Sequence, residues 1–129
     1  MLLFGVFDGI HDGHRSLFQQ ARKMADHIVV AVAPDGIVEH LKRHKPTFGL
    51  EERMRMVGEC SLVDEVLSGD TRLQSYDVVR MVQPTLIGFG YDQGELAEDL
   101  RSWLQKNAPH IETVKLQAFE PHIHKSSLL

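Results

Sequence analysis

Short apolar runs alternate with amphipathic segments along the whole chain. Apolar runs of about four to eight residues, bounded by glycine, proline or polar residues, are typical of buried strands. Apolar residues repeated at spacings of three and four are typical of helices that pack on one face. We therefore predict strands over residues 2–7, 27–33, 63–67, 85–89 and 111–119. Helices are predicted over residues 15–26, 37–41, 50–59, 73–82 and 95–106.

The alternation of strands and helices indicates the fold class. Strand–helix–strand units predict a parallel sheet with helices on both faces, joined by right-handed crossovers. Because 129 residues match the usual length of one domain, we predict a single Rossmann-like α/β domain over residues 1–129 with a five-stranded parallel sheet.

Composition and charge narrow the range of partners. The chain has 43% hydrophobic residues, 25% charged residues and a net charge of −4, which gives no reason to expect nucleic acid as a partner. No apolar stretch approaches the length of a membrane span, so we expect no membrane partner and a cytoplasmic location. The single cysteine, Cys60, excludes an internal disulfide and is expected to be a packed or half-buried thiol.

Two histidines follow the first predicted strand. The run from Gly5 to His14 reads G-V-F-D-G-I-H-D-G-H and leads into the first helix, whose N-cap is expected within residues 12–14. Ligands bind at the carboxyl ends of parallel strands, and a helix N-terminus favours phosphate. Histidine donors there can hold charge that builds on a phosphate oxygen. A glycine turn with two exposed histidines is the structural alternative.

This run fills every position of the pattern G-x-F-D-x-x-H-x-G-H and resembles the signature of the cytidylyltransferase-like nucleotidyltransferases. The resemblance implies an enzyme in which a phosphorylated acceptor attacks the α-phosphate of a nucleoside triphosphate and pyrophosphate leaves. It also implies catalytic roles for His11 and His14 at the phosphates, and Mg²⁺ as the divalent cation with the triphosphate. A homodimer is a further implication, because dimers are common in this family. Nucleotide contacts are expected from Val6, Phe7 and Gly13.

A basic run, Lys42-Arg43-His44-Lys45, follows the second predicted strand and is expected to be a loop over residues 42–48. This position places it at the same edge of the sheet as the histidine pair, and lysine supplies a mobile charge for phosphates. In the resembling family a lysine of this loop reaches the α-phosphate, which implies a catalytic role for Lys42. His44 and Lys45 compete for the second, supporting position. A solvated surface loop is the alternative.

Two further residues are expected to support the site. The helix after the basic run resembles the E-x-R-x-x-x-V pattern of the family, with Glu51, Arg53 and Val57 in its positions. Arg53 either orients the basic loop or serves only in packing. Asp8 is expected to orient the histidine turn, with a metal contact as the alternative, and no metal ligand is otherwise identified.

Glycines and polar residues also end the fourth predicted strand. Glycine there lets the backbone approach a ligand closely, and Asp92 can accept hydrogen bonds from a ribose or a nucleobase amine. The run Gly90-Tyr91-Asp92-Gln93 resembles the G-Y-D-Q of archaeal-type FAD synthases, which transfer an adenylyl group to FMN, and therefore favours ATP. The structural alternative is a turn in which Asp92 caps the next helix. Nucleotide contacts are expected from Gly88, Tyr91, Asp92 and Gln93.

Near the end of the chain, Ser126 and Ser127 resemble the paired hydroxyls that open a C-terminal helix in the family. Hydroxyls and N–H groups at a helix start bind phosphate, so these serines are expected to hold the triphosphate. Many cytidylyltransferases have an arginine a few residues earlier, where residues 120–124 here read E-P-H-I-H. That phosphate contact is either missing or supplied by a neighbouring histidine or Lys125.

Together these motifs favour adenylyl transfer from ATP to FMN, which gives FAD and pyrophosphate. One alternative is a cytidylyltransferase that acts on a small alcohol phosphate such as glycerol 3-phosphate. The other is a nucleotide-binding module without catalysis. The expected partners are therefore a nucleoside triphosphate and a phosphorylated small molecule, whose identity the sequence leaves open.

Overall fold

The computed structural model describes residues 1–117 of the chain. Five strands lie within that range, namely β1 (Leu2–Gly5), β2 (Val29–Val32), β3 (Glu65–Ser68), β4 (Leu86–Phe89) and β5 (Glu112–Lys115). Five helices connect them, namely α1 (Asp12–Met24), α2 (Asp35–Lys42), α3 (Leu50–Gly58), α4 (Asp77–Val82) and α5 (Gly94–Asn107).

All five strands run parallel in one sheet with the order β3-β2-β1-β4-β5. The chain starts in the middle of the sheet, extends one side as far as β3, and then returns to build the other side from β4. A switch point therefore lies between β1 and β4, and ligands bind outside the carboxyl ends of the strands at such points. The predicted Rossmann-like α/β fold is confirmed.

The seam between β1 and β4 is the shortest in the sheet. Leu2 pairs with Ile87 and Leu3 pairs with Gly88, whereas each of the other three seams has four pairs in register. Beyond these two pairs the strands separate toward their carboxyl ends. The separation opens a crevice at the switch point.

Each face of the sheet has its own hydrophobic cluster. Phe18 of α1 and Val57 of α3 are fully buried on one face. Leu100 and Leu104 of α5 are buried on the other face together with residues of α4. Helices therefore cover both faces, as predicted. Cys60 is half-buried against the first cluster, which confirms the expectation for this thiol.

Two helices begin three or more residues away from their predicted start. α1 begins at Asp12 rather than at residue 15, because His11 is its N-cap. α4 begins at Asp77 rather than at residue 73. The reason is that Gln74 and Tyr76 adopt left-handed backbone conformations, with φ of 64° and 50°, which are incompatible with a right-handed helix.

Other boundaries differ by a few residues. α2 continues to Lys42, so this residue ends a helix rather than beginning a loop. The strands are four residues long and shift or shorten relative to the prediction, because pairing stops where neighbouring backbones diverge. Residues 118–119 of the predicted fifth strand lie outside the described residues. No helix within residues 1–117 is both long enough and apolar enough to cross a bilayer.

Gly5 makes room for the side chain that follows β1. A Cβ atom at Gly5 would lie 2.5 Å from the Phe7 ring. That ring is buried, with its centroid 5.7 Å from that of Phe18. Phe7 itself has a φ of 52°, a left-handed conformation that costs about 1–3 kcal/mol. Because packing on Phe18 holds the Phe7 ring in place, a side chain at residue 5 would collide with that ring. The end of β1 therefore requires glycine at this position.

We expect Gly5→Ala to lower the free energy of unfolding by about 1–3 kcal/mol, since the added methyl group overpacks the Phe7 ring. Gly36→Ala is the matched control, because a Cβ there meets nothing within 4 Å and alanine favours a helix by about 0.5–1 kcal/mol. Urea unfolding measures both variants. Equal stabilities of the two variants would contradict the packing argument at Gly5.

Candidate active site

His11 caps the N-terminus of α1. Its backbone is extended, with φ −132° and ψ −179°, and its Nδ1 accepts a hydrogen bond from the Gly13 N–H at 3.0 Å. The Nδ1 of His14 accepts in return from the His11 N–H at 3.3 Å. The two imidazoles thus form a reciprocal capping box, in which histidine takes the place of the usual Ser, Thr, Asp or Asn.

These hydrogen bonds fix the proton positions on both rings of the pair. A neutral imidazole that accepts at Nδ1 carries its proton at Nε2, so both Nε2–H groups point away from the helix backbone. The rings of His11 and His14 stack with centroids 3.8 Å apart and planes 25° apart. Two adjacent donors at a helix N-terminus are suited to bind phosphate oxygens.

His14 stays neutral over the physiological pH range. Burial is the main cause that lowers its pKa to about 4; the nearby His11 and Arg15 contribute in the same direction, and Asp92 opposes the shift. Phe7 covers His14, with ring centroids 5.0 Å apart. The Nε2–H of His14 is therefore a donor whose availability does not depend on pH near neutrality.

Asp8 connects the histidine turn to the basic loop. Its carboxylate accepts the N–H groups of Thr47 at 2.7 Å and Phe48 at 2.8 Å. Burial opposes ionisation, but these bonds and the nearby Arg53 outweigh it and hold the pKa of Asp8 below its usual range. Both carboxylate oxygens are engaged in this way, so Asp8 orients the basic loop rather than the imidazole rings.

Arg53 is fully buried, and no other charged side chain within residues 1–117 is buried. Its Nε donates to the Phe48 carbonyl at 2.8 Å, and its Nη1 donates to the carbonyls of Val6 at 2.8 Å and Ala33 at 2.7 Å. Its Nη2 donates to Asp35 at 2.6 Å. The guanidinium thus joins the ends of β1 and β2 to the segment before α3, and acts on the site through the backbone that it holds.

Gln93 bridges the crevice between β1 and β4. Its Oε1 accepts the Gly90 N–H at 2.8 Å, and its Nε2 donates to the Phe4 carbonyl at 2.9 Å. The amide therefore spans the point where the two strands have separated. This bridge is a structural role for Gln93, and its contact with a nucleotide stays a prediction.

The other residues around Gln93 lie in different settings. Gly88 is buried inside β4, where neighbouring core side chains leave no room for a Cβ. Tyr91 and Asp92 are exposed. Asp92 lies close enough to His14 for its charge to oppose the lowering of the His14 pKa. The N-cap of α5 is Gln93, with no side-chain cap bond. The alternative in which Asp92 caps this helix is therefore wrong.

Three more of the predicted nucleotide contacts have structural roles. The Val6 carbonyl accepts from the buried guanidinium, Phe7 packs against His14, and the Gly13 N–H donates to His11. Ser126 and Ser127 lie outside the described residues.

Exposed basic side chains surround the end of α2. Lys42 is the last residue of that helix, and Arg43 follows it with a φ of 61°. The Nδ1 of His44 lies 2.9 Å from the Lys45 carbonyl. Because Asp8 holds the far end of this loop, its cations are attached beside the histidine turn and are available to a polyphosphate. The choice between Lys42, His44 and Lys45 stays a prediction.

Two cavities flank Gln93, which lines both. The apolar cavity, of about 350 Å³, lies between the ends of β1 and β2, the segment after β3 and helix α5. Its apolar walls are Phe4, Ala31, Ile37, Leu41, Leu73 and Leu96. The smaller cavity, of about 210 Å³, lies at the ends of β4 and β5. Its lining includes Phe89, Gly90, Arg101 and Lys115.

The sequence did not predict the apolar cavity, because its walls come from separate segments of the chain. Leu41 and Leu73 line it while remaining 58% and 47% exposed. Large apolar side chains that stay exposed beside a cavity are typical of ligand contact. Leu41 and Leu73 lie at the ends of predicted helices, and no spacing in the sequence relates one to the other.

A divalent cation fits this site through substrate phosphates rather than through a protein cage. Within residues 1–117, no three His, Cys, Asp or Glu side chains are grouped so as to hold a metal ion. Mg²⁺ in nucleotide sites commonly keeps several waters and binds substrate phosphates with few protein ligands. The donor set is therefore compatible with an ion that arrives with the nucleotide.

The fold is that of an α/β protein with a switch point. Its paired imidazole donors at a helix N-terminus and the adjacent basic loop are suited to bind phosphate. The model of the cytidylyltransferase-like family matches residues 2–127. The chain belongs to this family, and it is a nucleotidyltransferase, as predicted from its sequence. The alternative of a non-catalytic binding module is set aside.

Relatives match most of the chain. The FAD synthase of Thermococcus sibiricus is 32% identical over 124 residues, which cover 96% of this chain and 81% of the relative. The FAD synthase of Ferroglobus placidus is 36% identical over 116 residues, which cover 90% and 74%. A solved lipopolysaccharide core biosynthesis protein from Thermoplasma volcanium has a TM-score of 0.83 and 28% identity, with 92% of this chain and 96% of that chain covered.

Asp8→Asn is expected to release the basic loop, because an amide offers one acceptor where the carboxylate offers two charged ones. Hydrogen exchange at the Thr47 and Phe48 amides should accelerate by about 10-fold or more, as expected for the loss of a charge-assisted hydrogen bond. The KM for the nucleoside triphosphate should rise while that for the acceptor changes little. Asp12→Asn is the control, since the side chain of Asp12 pairs with the exposed Arg15 and does not contact the basic loop within residues 1–117. Unchanged exchange at both amides would exclude the proposed role of Asp8.

His14 should contribute a pH-dependent component to stability. Between pH 6.5 and about 4 the unfolded chain protonates His14 while the folded chain does not. The stabilisation is therefore complete above pH 6.5 and falls as the pH approaches 4, by about 1–2 kcal/mol after allowance for the solvent-exposed part of the ring. Urea unfolding of the wild type and His14→Gln between about pH 7 and pH 4 isolates this component. Parallel stability curves for the two proteins would contradict it.

Proposed function

We propose that this protein transfers the adenylyl group of ATP to FMN, which yields FAD and pyrophosphate. The observation that carries the proposal is the pair of fixed Nε2–H donors on His11 and His14 with an apolar cavity beside them. The similarity to FAD synthases supports the same transfer. The G-Y-D-Q run from Gly90 to Gln93 supports it as well.

The apolar cavity is the proposed site of the flavin ring. Its volume of about 350 Å³ falls within the range of roughly 300–1,000 Å³ that is typical of small-molecule sites. Gly5 and Val6 line it and lead along the chain directly into the histidine turn. A ring bound there would present its phosphate toward the imidazole donors. Glycerol 3-phosphate has no ring that could fill such a cavity.

The smaller cavity beyond Gln93 is the proposed site of the nucleobase. It lies on the β4 side of the crevice, opposite the apolar cavity. A nucleotide bound there would place its triphosphate over the N-terminus of α1, near the basic loop. The two substrates would then meet at the histidine pair from opposite sides of the switch point.

The reaction needs positioning and charge stabilisation more than covalent help from the protein. An oxygen of the FMN phosphate forms a bond to the α-phosphorus of ATP, the bond to the β-phosphate oxygen breaks, and pyrophosphate leaves with the electron pair. Because a phosphate monoester is largely ionised at pH 7, no general base is required. His11 and His14 donate to the oxygens that gain charge, and Lys42 balances the charge of the polyphosphate.

Nucleotidyltransferases of this kind generally use a divalent cation. Mg²⁺ is the ion proposed here, held by the triphosphate oxygens and water. When bound, it neutralises part of the polyphosphate charge.

The purified protein with Mg²⁺ is expected to form FAD from ATP and FMN. It should use ATP about 100-fold better than CTP, because a site built for the hydrogen bonds of one base leaves buried groups unpaired with the other. Chromatography of FAD and release of pyrophosphate measure the reaction, with glycerol 3-phosphate as the competing acceptor.

His14→Ala tests whether the reaction takes place at the histidine pair. Its turnover should fall by about 10²–10³-fold if His14 is a preorganised donor, while circular dichroism shows an intact fold. A clear preference for CTP, or transfer to glycerol 3-phosphate in place of FMN, would overturn the FMN assignment and favour a cytidylyltransferase.

A further inference from the structure

One side of the apolar cavity is polar. Gln74 and Tyr76, from the segment between β3 and α4, and Asp99, from α5, line it together. We propose that the Asp99 carboxylate selects the acceptor substrate by receiving a hydrogen bond from a ring N–H of a planar imide. This inference rests on the proposed function, in which the ring is the isoalloxazine of FMN.

Asp99 is held rigidly by neutral donors. Its Oδ1 accepts from the Gln74 side-chain amide at 3.0 Å, and its Oδ2 accepts from the Tyr76 hydroxyl. The Tyr76 ring is buried and packs on Trp103 with centroids 5.4 Å apart. Arg80 lies over the other ring of this pair, 4.8 Å from the Trp103 centroid. A carboxylate fixed by this stack cannot turn away from the cavity at low cost.

Asp99 also retains unused acceptor capacity. A carboxylate offers about four acceptor positions, and two are occupied in the structure. Within residues 1–117, Asp99 has no salt-bridge partner. A half-buried anion whose only partners are neutral gains from an additional N–H donor, because hydrogen bonds to charged groups are roughly twice as strong as neutral ones.

The isoalloxazine ring carries the kind of donor that the Asp99 carboxylate can accept. The isoalloxazine of FMN has one N–H on its pyrimidine edge, the imide at N3, between two carbonyl groups. Its remaining surface is flat and largely apolar, which suits the leucine, isoleucine and phenylalanine walls of the apolar cavity. A ring that presented an acceptor at this position would face the carboxylate with like partial charge. Asp99 would therefore reject it.

The test compares FMN with 3-methyl-FMN, which cannot donate at N3. The wild type should prefer FMN by about 10–100-fold in kcat/KM, the value of a hydrogen bond to a charged group. In Asp99→Asn the kcat/KM for FMN should fall until the preference is less than about 3-fold, with the KM for ATP unchanged. Glu112→Gln makes the same carboxylate-to-amide change at an exposed residue that lines neither cavity, and it should keep the wild-type preference.

A wild type that uses both flavins equally well would overturn the role of Asp99 while leaving adenylyl transfer to FMN in place. If the preference for FMN over 3-methyl-FMN persists undiminished in Asp99→Asn, the methyl group is excluded sterically. That result would also overturn the role of Asp99. Riboflavin binding, followed by flavin fluorescence without ATP, separates this inference from the proposed function. If riboflavin binds the wild type and binds Asp99→Asn about 10-fold or more weakly, while no FAD forms, adenylyl transfer fails and the role of Asp99 stands.

Discussion

A single buried guanidinium holds the functional edge of the sheet together. Removing a charge from water costs several kcal/mol unless its donors are satisfied. Arg53 meets this condition by donating to three backbone carbonyls and one carboxylate. Those carbonyls belong to the ends of two strands and to the turn before α3, where no N–H group of a neighbouring strand within residues 1–117 donates to them. The charge therefore stabilises backbone that the sheet itself leaves without partners.

The hydrogen bonds of Arg53 and Asp8 also fix the position of the basic loop beside the histidine turn. The backbone of Phe48 is fixed from both sides, its N–H by Asp8 and its carbonyl by Arg53. The basic loop is thereby fastened to the turn that carries the histidine pair. Neutral imidazole donors thus occupy fixed positions, while the exposed lysines remain adjustable. Rigid neutral donors suit a reacting phosphorus centre, and adjustable cations suit a flexible polyphosphate chain.

The strand–helix alternation and the histidine turn could be predicted because apolar periodicity and a dense local motif report them. The start of α1 was missed because its cap is a histidine, a residue type that is rarely considered for that position. The start of α4 was missed because two non-glycine residues, Gln74 and Tyr76, take left-handed conformations. The motifs predicted supporting roles for Asp8 and Arg53, but most of their contacts are made to backbone groups, which every residue type offers. Their partners therefore could not be predicted from the sequence, and the apolar cavity is equally hidden because its walls are far apart along the chain.

The short seam between β1 and β4 has a consequence for how stable this fold can become. A sheet paired along its full length would gain further ladder hydrogen bonds, yet it would close the crevice in which the two substrates are proposed to meet. Gln93 replaces part of that ladder with one side chain and leaves the space open. If the proposed site is correct, selection for greater thermal stability acts on other parts of the molecule, since additional pairing at this seam would lower activity.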